Sequence, residues 1–113
     1  MATDFTTLVD TPITLKKGAA VDFEQVDFET ANVSTATNAS VEFLVIPAGA
    51  VTLTVEINGT TVVSENFNST VGRVWRENFS ASILKKNNTL TVAKNGDGED
   101  ITVQDFLFLF KTG

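Results

Sequence analysis

Residues 101–110 read ITVQDFLFLF, and three of the nine phenylalanines of the chain fall within them. Successive residues of a strand point to opposite faces of its sheet. Ile101, Val103, Leu107 and Leu109 share one parity, with Asp105 interrupting them. Thr102 and Gln104 open the other parity, which turns apolar at Phe106, Phe108 and Phe110. The first half is expected to be half-buried and the second half dry on both faces. Such a strand lies inside a sheet with cover above and below, and the rest of the chain has to provide that cover.

Working outward, nearly every other segment also reads as strand. Thr and Val are abundant, and no helical period appears. Residues 5–9 predict a short edge strand, broken by Asp10-Thr11-Pro12. Residues 13–15 continue extended until Lys16-Lys17-Gly18 turns the chain. In VDFEQVDFE, residues 21–29, Val21 and Phe23 share one parity and Val26 and Phe28 the other. That change predicts a β-bulge, or a bend where the strand crosses between sheets. Residues 30–40 are small and polar and read as a surface loop.

Residues 41–46 are apolar at five of six positions, which predicts a central strand ended by Pro47-Ala48-Gly49. Val51, Leu53, Val55 and Ile57 alternate with Thr52, Thr54 and Glu56, the pattern of a half-buried strand. Asn58-Gly59 follows, a strong hairpin signal, and residues 60–63 return. Residues 64–70 are polar around Phe67. Residues 71–79, VGRVWRENF, carry the single tryptophan and both arginines. Lys85-Lys86-Asn87-Asn88 marks a turn, Leu90 and Val92 alternate with Thr89 and Thr91, and Asn95-Gly96-Asp97-Gly98 feeds the final strand. Roughly eight short strands, with turn signals about every 8–12 residues, are the pattern of an all-β antiparallel sandwich or barrel, and the two-faced final strand points to a β-sandwich. The whole chain, residues 1–113, is expected to be one domain.

Composition narrows the functions. A chain of 113 residues can bury a core without disulfides or metal. The net charge of −6 and pI of about 4.4 argue against a nucleic-acid partner, which needs clustered Lys and Arg. There is no cysteine and no histidine. Thiolate chemistry and Ser-His or Cys-His pairs are therefore excluded, as are the usual transition-metal ligands. No acidic pair is singled out for glycoside hydrolysis, so the chain is expected not to be an enzyme. The N-terminus, MATDFTTLVD, has neither the basic nor the apolar region of a signal peptide. No run approaches the ~18 apolar residues of a membrane span, so no membrane partner is expected.

Several positions are candidates for binding. Trp75 stands between Arg73 and Glu77, which share its parity, so an indole ring is flanked by charged hydrogen-bonding groups. That arrangement suits a carbohydrate or small polar ligand; the other reading packs Trp75 at the edge of the core. Phe67 would add a second wall and Asn66 an amide. Asp22, Glu24, Asp27 and Glu29 form an acidic cluster, read either as a solvated face or as hard oxygen ligands for calcium. Asn95–Asp100, NGDGED, has a faint look of a calcium loop but lacks the alternating ligand run and distal Glu of an EF-hand, and it reads as a plain hairpin turn. Asn32, Asn38, Asn58, Asn68, Asn78 and Asn87 each begin an N-glycosylation sequon.

From Val41 onward the order of signals resembles a galactose-binding-like jelly-roll β-sandwich, the fold of many carbohydrate-binding modules. VIPAGAVTLTVEINGTTVV resembles that fold's strand, Pro/Gly turn, strand and hairpin. LKKNNTLTV resembles its basic turn and following strand, and ITVQDFLFLF resembles its closing strand. The resemblance implies a non-catalytic, carbohydrate-binding role, outside the cell or at its surface. It also implies a structural Ca²⁺ joining the N-terminal region to the last strand, with Glu24 and Asp105 as the pair. The alternative is a structural or assembly subunit of a larger particle, fibre or surface layer. Its marker would be a flat apolar surface, formed by the edge at residues 5–15 or by the Val- and Thr-rich strands, that recruits a protein partner or a second copy.

Overall fold

Nine strands carry the described part of the chain: β1 (Thr3–Val9), β2 (Ile13–Leu15), β3 (Phe23–Glu29), β4 (Asn38–Pro47), β5 (Gly49–Ile57), β6 (Thr60–Ser69), β7 (Arg73–Ser80), β8 (Asn87–Lys94) and β9 (Ile101–Thr112). The computed structural model describes residues 3–112, with side chains from Leu8 onward. The side chains of residues 5–7, part of the edge expected to form an apolar surface, lie outside the described residues. One 3₁₀ turn, Ala81–Ile83, is capped by the Ser80 side chain. Among the described residues no helix is long and apolar enough to cross a membrane.

All strand pairs are antiparallel. One sheet has five strands: β1 and β2 both pair with β9, β9 pairs with β4, and β4 with β7. The other runs β3-β8-β5-β6. From β3 onward each connection crosses to the opposite sheet, except the β5–β6 hairpin at Asn58-Gly59, where both residues have positive φ. The fold is an antiparallel β-sandwich of jelly-roll type. The expected central strand at 41–46 is β4, between β9 and β7, and the final strand lies inside its sheet as expected.

Burial in β9 follows a different pattern from the one expected. Ile101 and Val103 point into the core, and so do Phe106, Phe108 and Phe110. The change of parity takes place at Asp105, whose φ is +57°. Across from it, Glu42 pairs with Leu107 and Leu44 with Gln104, so two residues of β9 face the single residue Phe43. This is a bulge. It turns all three phenylalanines inward and leaves Leu107 and Leu109 half-buried on the outer face. The second half of β9 is therefore not dry on both sides.

Other segments also depart from expectation. No bulge interrupts β3, which pairs with β8 in unbroken register from Phe23 to Glu29. Val26 faces the core half-buried and Phe28 is buried, while Phe23 is exposed on the outer face. The two parities are two faces of one straight edge strand. Most of the polar stretch 64–70 extends β6, with Phe67 inward. Within 30–40, Asn38 already begins β4.

One phenylalanine stack joins the layers and a second lies within the five-stranded sheet. Phe28 of β3 lies parallel to Phe108 of β9 with ring centroids 4.1 Å apart, and Phe43 stacks on Phe106 at 4.9 Å. Such contacts add to the stabilisation from burying the rings. Phe108→Ala is expected to lower stability by about 3–5 kcal/mol, read from urea unfolding. At the bulge, Asp105→Gly is expected to keep the stability, because glycine adopts positive φ freely. Asp105→Val is expected to lower it by about 1–2 kcal/mol in the same measurement.

Candidate functional site

Strand alternation gives the four-stranded sheet a polar outer face. On β3, β8 and β5 the core takes Val26, Phe28, Leu90, Val92, Leu53, Val55 and Ile57. Left outside are Phe23 and Gln25, then Thr89, Thr91 and Ala93, then Glu56. A groove of about 660 Å³ crosses these strands, closed at one end by Asn58, Gly59 and Lys85. Its volume falls within the range of ligand sites. Phe23 is 52% exposed and forms its aromatic wall. Gln25 donates to the Thr91 hydroxyl at 3.3 Å.

The closed end is rigid because a buried amide organises it. The Asn88 Oδ1 accepts from the Lys85 backbone N–H at 2.8 Å and from the Asn58 amide at 2.9 Å. The Asn88 amide donates to the Lys85 carbonyl at 2.9 Å and the Thr30 hydroxyl at 3.0 Å. Asn58, held at φ +52°, accepts from the Thr89 N–H and donates to the Ile83 carbonyl. These bonds tie the β5–β6 hairpin, the turn before β8 and the end of β3 together. They also engage the Asn58 amide nitrogen twice, in bonds to the Ile83 carbonyl and Asn88 Oδ1.

The Arg73, Trp75 and Glu77 strip belongs to another part of the molecule. These residues pair with Val45, Phe43 and Val41, all of which face the core. The face expected to meet water is therefore the inner face of edge strand β7. Trp75 is half-buried and packs edge-on against the buried Phe67, with ring centroids 5.6 Å apart. Its indole N–H donates to Glu77 Oε1 at 3.1 Å. Arg73 is exposed, with its guanidinium carbon 5.8 Å from the Phe67 ring centroid. The structure brings Arg73, Trp75, Glu77 and Phe67 together. Asn66 does not join them: it lies on the outer face of β6, accepting from the Thr52 hydroxyl at 2.6 Å.

Glu24 and Asp105, the pair implied for calcium, come from different sheets. Both are exposed, Glu24 on β3 of one sheet and Asp105 at the bulge in β9 of the other. Asp105 accepts a 3.4 Å bond from Gln104. Among the described residues no three acidic, His or Cys side chains gather where they would hold a metal.

The groove was missed in the sequence because its lining comes from four separated segments. Its one local signal is that Phe23 shares parity with Gln25 and Asp27, both polar.

The two sheets and their connections define a jelly-roll β-sandwich. No protein-family model and no curated protein matches the chain. Solved structures do share the fold. Dimeric latent PorU from Porphyromonas gingivalis is similar with a TM-score of 0.74 at 14% identity, over 98% of this chain but only 13% of that protein. The CBM36-1 domain of a multidomain xylanase, from the hindgut metagenome of Trinervitermes trinervoides, is similar with a TM-score of 0.58 at 13% identity. There the match covers 100% of this chain and 99% of that one. The carbohydrate-binding module CBM36 in complex with calcium and xylotriose is similar with a TM-score of 0.52 at 20% identity, over 95% of this chain and 97% of the other. At such identities the likeness is one of fold.

Asn88→Ala is expected to lower stability by about 1–3 kcal/mol, because it orphans the buried groups that the amide now satisfies. Thermal or urea unfolding measures the loss, and Asn87→Ala, an exposed neighbour, serves as the control.

Proposed function

We propose that the chain is a non-catalytic carbohydrate-binding module, with its sugar site in the groove beside Phe23. The observation that carries this reading is an exposed aromatic ring in a groove whose lining, Gly59 and Ala93 apart, is hydroxyl, amide and charged groups. A pyranose has an apolar face of C–H groups and a rim of hydroxyls. The Phe23 ring meets the first, and Thr91, Gln25, Glu56 and Lys85 donate to or accept from the second. The groove crosses several strands, which suits a chain of sugars better than one residue. The net charge of −6 opposes polyanionic glycans over Debye-length distances, so the ligand is a neutral glycan.

The fold shared with carbohydrate-binding modules supports the reading. The CBM36 structure holds xylotriose, which makes xylo-oligosaccharides the first ligands to test beside other neutral oligosaccharides. The Arg73, Trp75 and Glu77 strip is the second position within this proposal, because Arg73 stands exposed above Phe67.

Titration calorimetry against a panel of neutral and acidic oligosaccharides tests the proposal. The wild type is expected to bind a neutral member. Phe23→Ala is expected to weaken that binding by about tenfold or more while the melting temperature holds, since the ring contributes about 1.4 kcal/mol or more to the complex. Trp75→Ala is expected to keep binding and melt lower. Binding lost in Trp75→Ala with the fold intact, and kept in Phe23→Ala, would move the site to the β7 strip. No binding to any neutral glycan would sink the proposal.

A further inference from the structure

The turn between β8 and β9 holds a feature that sugar binding does not use. Lys94 ends β8 on the inward parity, after Leu90 and Val92, and its side chain is 0% exposed. Its ammonium donates to the backbone carbonyls of Asn95 at 2.9 Å, Gly98 at 3.1 Å and Gly96 at 3.5 Å. The Asp22 carboxylate stands 3.6 Å away. A lysine ammonium carries three donors and no acceptor, so this cage of oxygens satisfies it completely. A buried charge without such a cage would be strongly destabilising.

The cage is built from outside as well. The Asn95 side chain accepts from the Thr52 N–H at 2.8 Å, and Glu99 donates its N–H to the Ala50 carbonyl at 3.0 Å. Asp100 accepts from the Lys17 N–H at 2.8 Å, and its carbonyl accepts from Ala48. At Gly98 a Cβ would collide with the Asn95 side chain and come within 2.8 Å of Val51. The turn therefore holds its carbonyls convergent through bonds that do not involve the ammonium.

We infer that this turn is a cation site filled by the chain's own lysine. Backbone carbonyls and a carboxylate are the ligands of a hard cation such as Ca²⁺. Lys94 delivers one positive charge to them on a covalent tether, so the wild-type turn needs no metal. Once the side chain is removed, the same oxygens are free to take calcium, and Asp97 and Asp100 in the same turn add negative charge in its favour, while Glu99 is paired with Lys17 at 3.0 Å. Calcium–oxygen distances of about 2.3–2.6 Å require the cage to draw in slightly.

Thermal melting of the full chain tests the inference, with wild type, Lys94→Ala and Lys94→Met compared in chelator, in millimolar CaCl₂ and in NaCl of equal ionic strength. The wild-type midpoint is expected to be the same in all three. Both variants are expected to melt lower in chelator by about 10 °C or more. Calcium, and not NaCl, is expected to restore most of the loss in Lys94→Ala, where the space is vacated, and little in Lys94→Met, where the stem still fills it. A Lys94→Met variant as stable as wild type would show that packing, not charge, organises the turn, and would overturn the inference. So would a Lys94→Ala variant that calcium does not raise or that folds under none of these conditions, or a calcium effect of equal size in wild type.

Discussion

The sandwich depends on one backbone irregularity. A strand with unbroken alternation would send Ile101 and Val103 to the face opposite Phe106, Phe108 and Phe110, and half of its apolar side chains would meet water. The bulge at Asp105, with φ +57°, inserts one residue and reverses the parity, so both halves of β9 supply the core. It lies where β1 ends and β2 begins on one side, with Val9 paired to Phe106 and Ile13 to Val103. On the other side it faces Phe43. The break at Asp10-Thr11-Pro12 and the bulge therefore fall at the same height of the sheet. From there the Phe43–Phe106 and Phe28–Phe108 stacks carry the irregularity into the packing of both layers.

Segments whose burial follows from their own alternation were legible in the sequence. The β5 strand, the Asn58-Gly59 hairpin, the central position of β4 and the sandwich itself are of this kind. The site was less legible because each misreading turned on a neighbour that sequence order does not reveal. Trp75 has charged residues two positions away on either side, which suggests a wet face. Its cross-strand partner is Phe43, which turns that face inward. Phe23 breaks the parity of Val26 and Phe28, which suggests a bulge. In an edge strand with polar neighbours on its outer face, the same break marks an aromatic ring left exposed. Asn66 and Phe67 are adjacent in the chain, and adjacency in a strand places them on opposite faces. Lys94 did give a signal: Leu90, Val92 and Lys94 share the inward parity, so the lysine had to find oxygen partners inside.

β8 shows how a small core accommodates polar groups. Near its start, Asn88 gathers Lys85, Thr30 and Asn58. At its end, Lys94 gathers the carbonyls of the following turn. Between them Leu90 and Val92 are fully buried. Among the described residues no buried side-chain nitrogen or oxygen lacks a hydrogen bond, so neither polar end leaves a group unsatisfied. Each end is also a point where a loop is fixed: one closes the groove beside Phe23, and the other leads into β9.

The pairing of β1 with β9 has a mechanical consequence. Thr3 lies opposite Thr112 and Val9 opposite Phe106, so the two ends of the described chain are neighbours at one end of the sheet. Tension applied at residues 3 and 112 pulls along the hydrogen bonds of the ladder, which run perpendicular to the strands. The bonds are then loaded one after another, as in a zipper, instead of together as in shear. Under such a load β1 peels away first, up to the break at Asp10-Thr11-Pro12. The phenylalanine stacks deeper in the sandwich do not bear the force until β1 is gone.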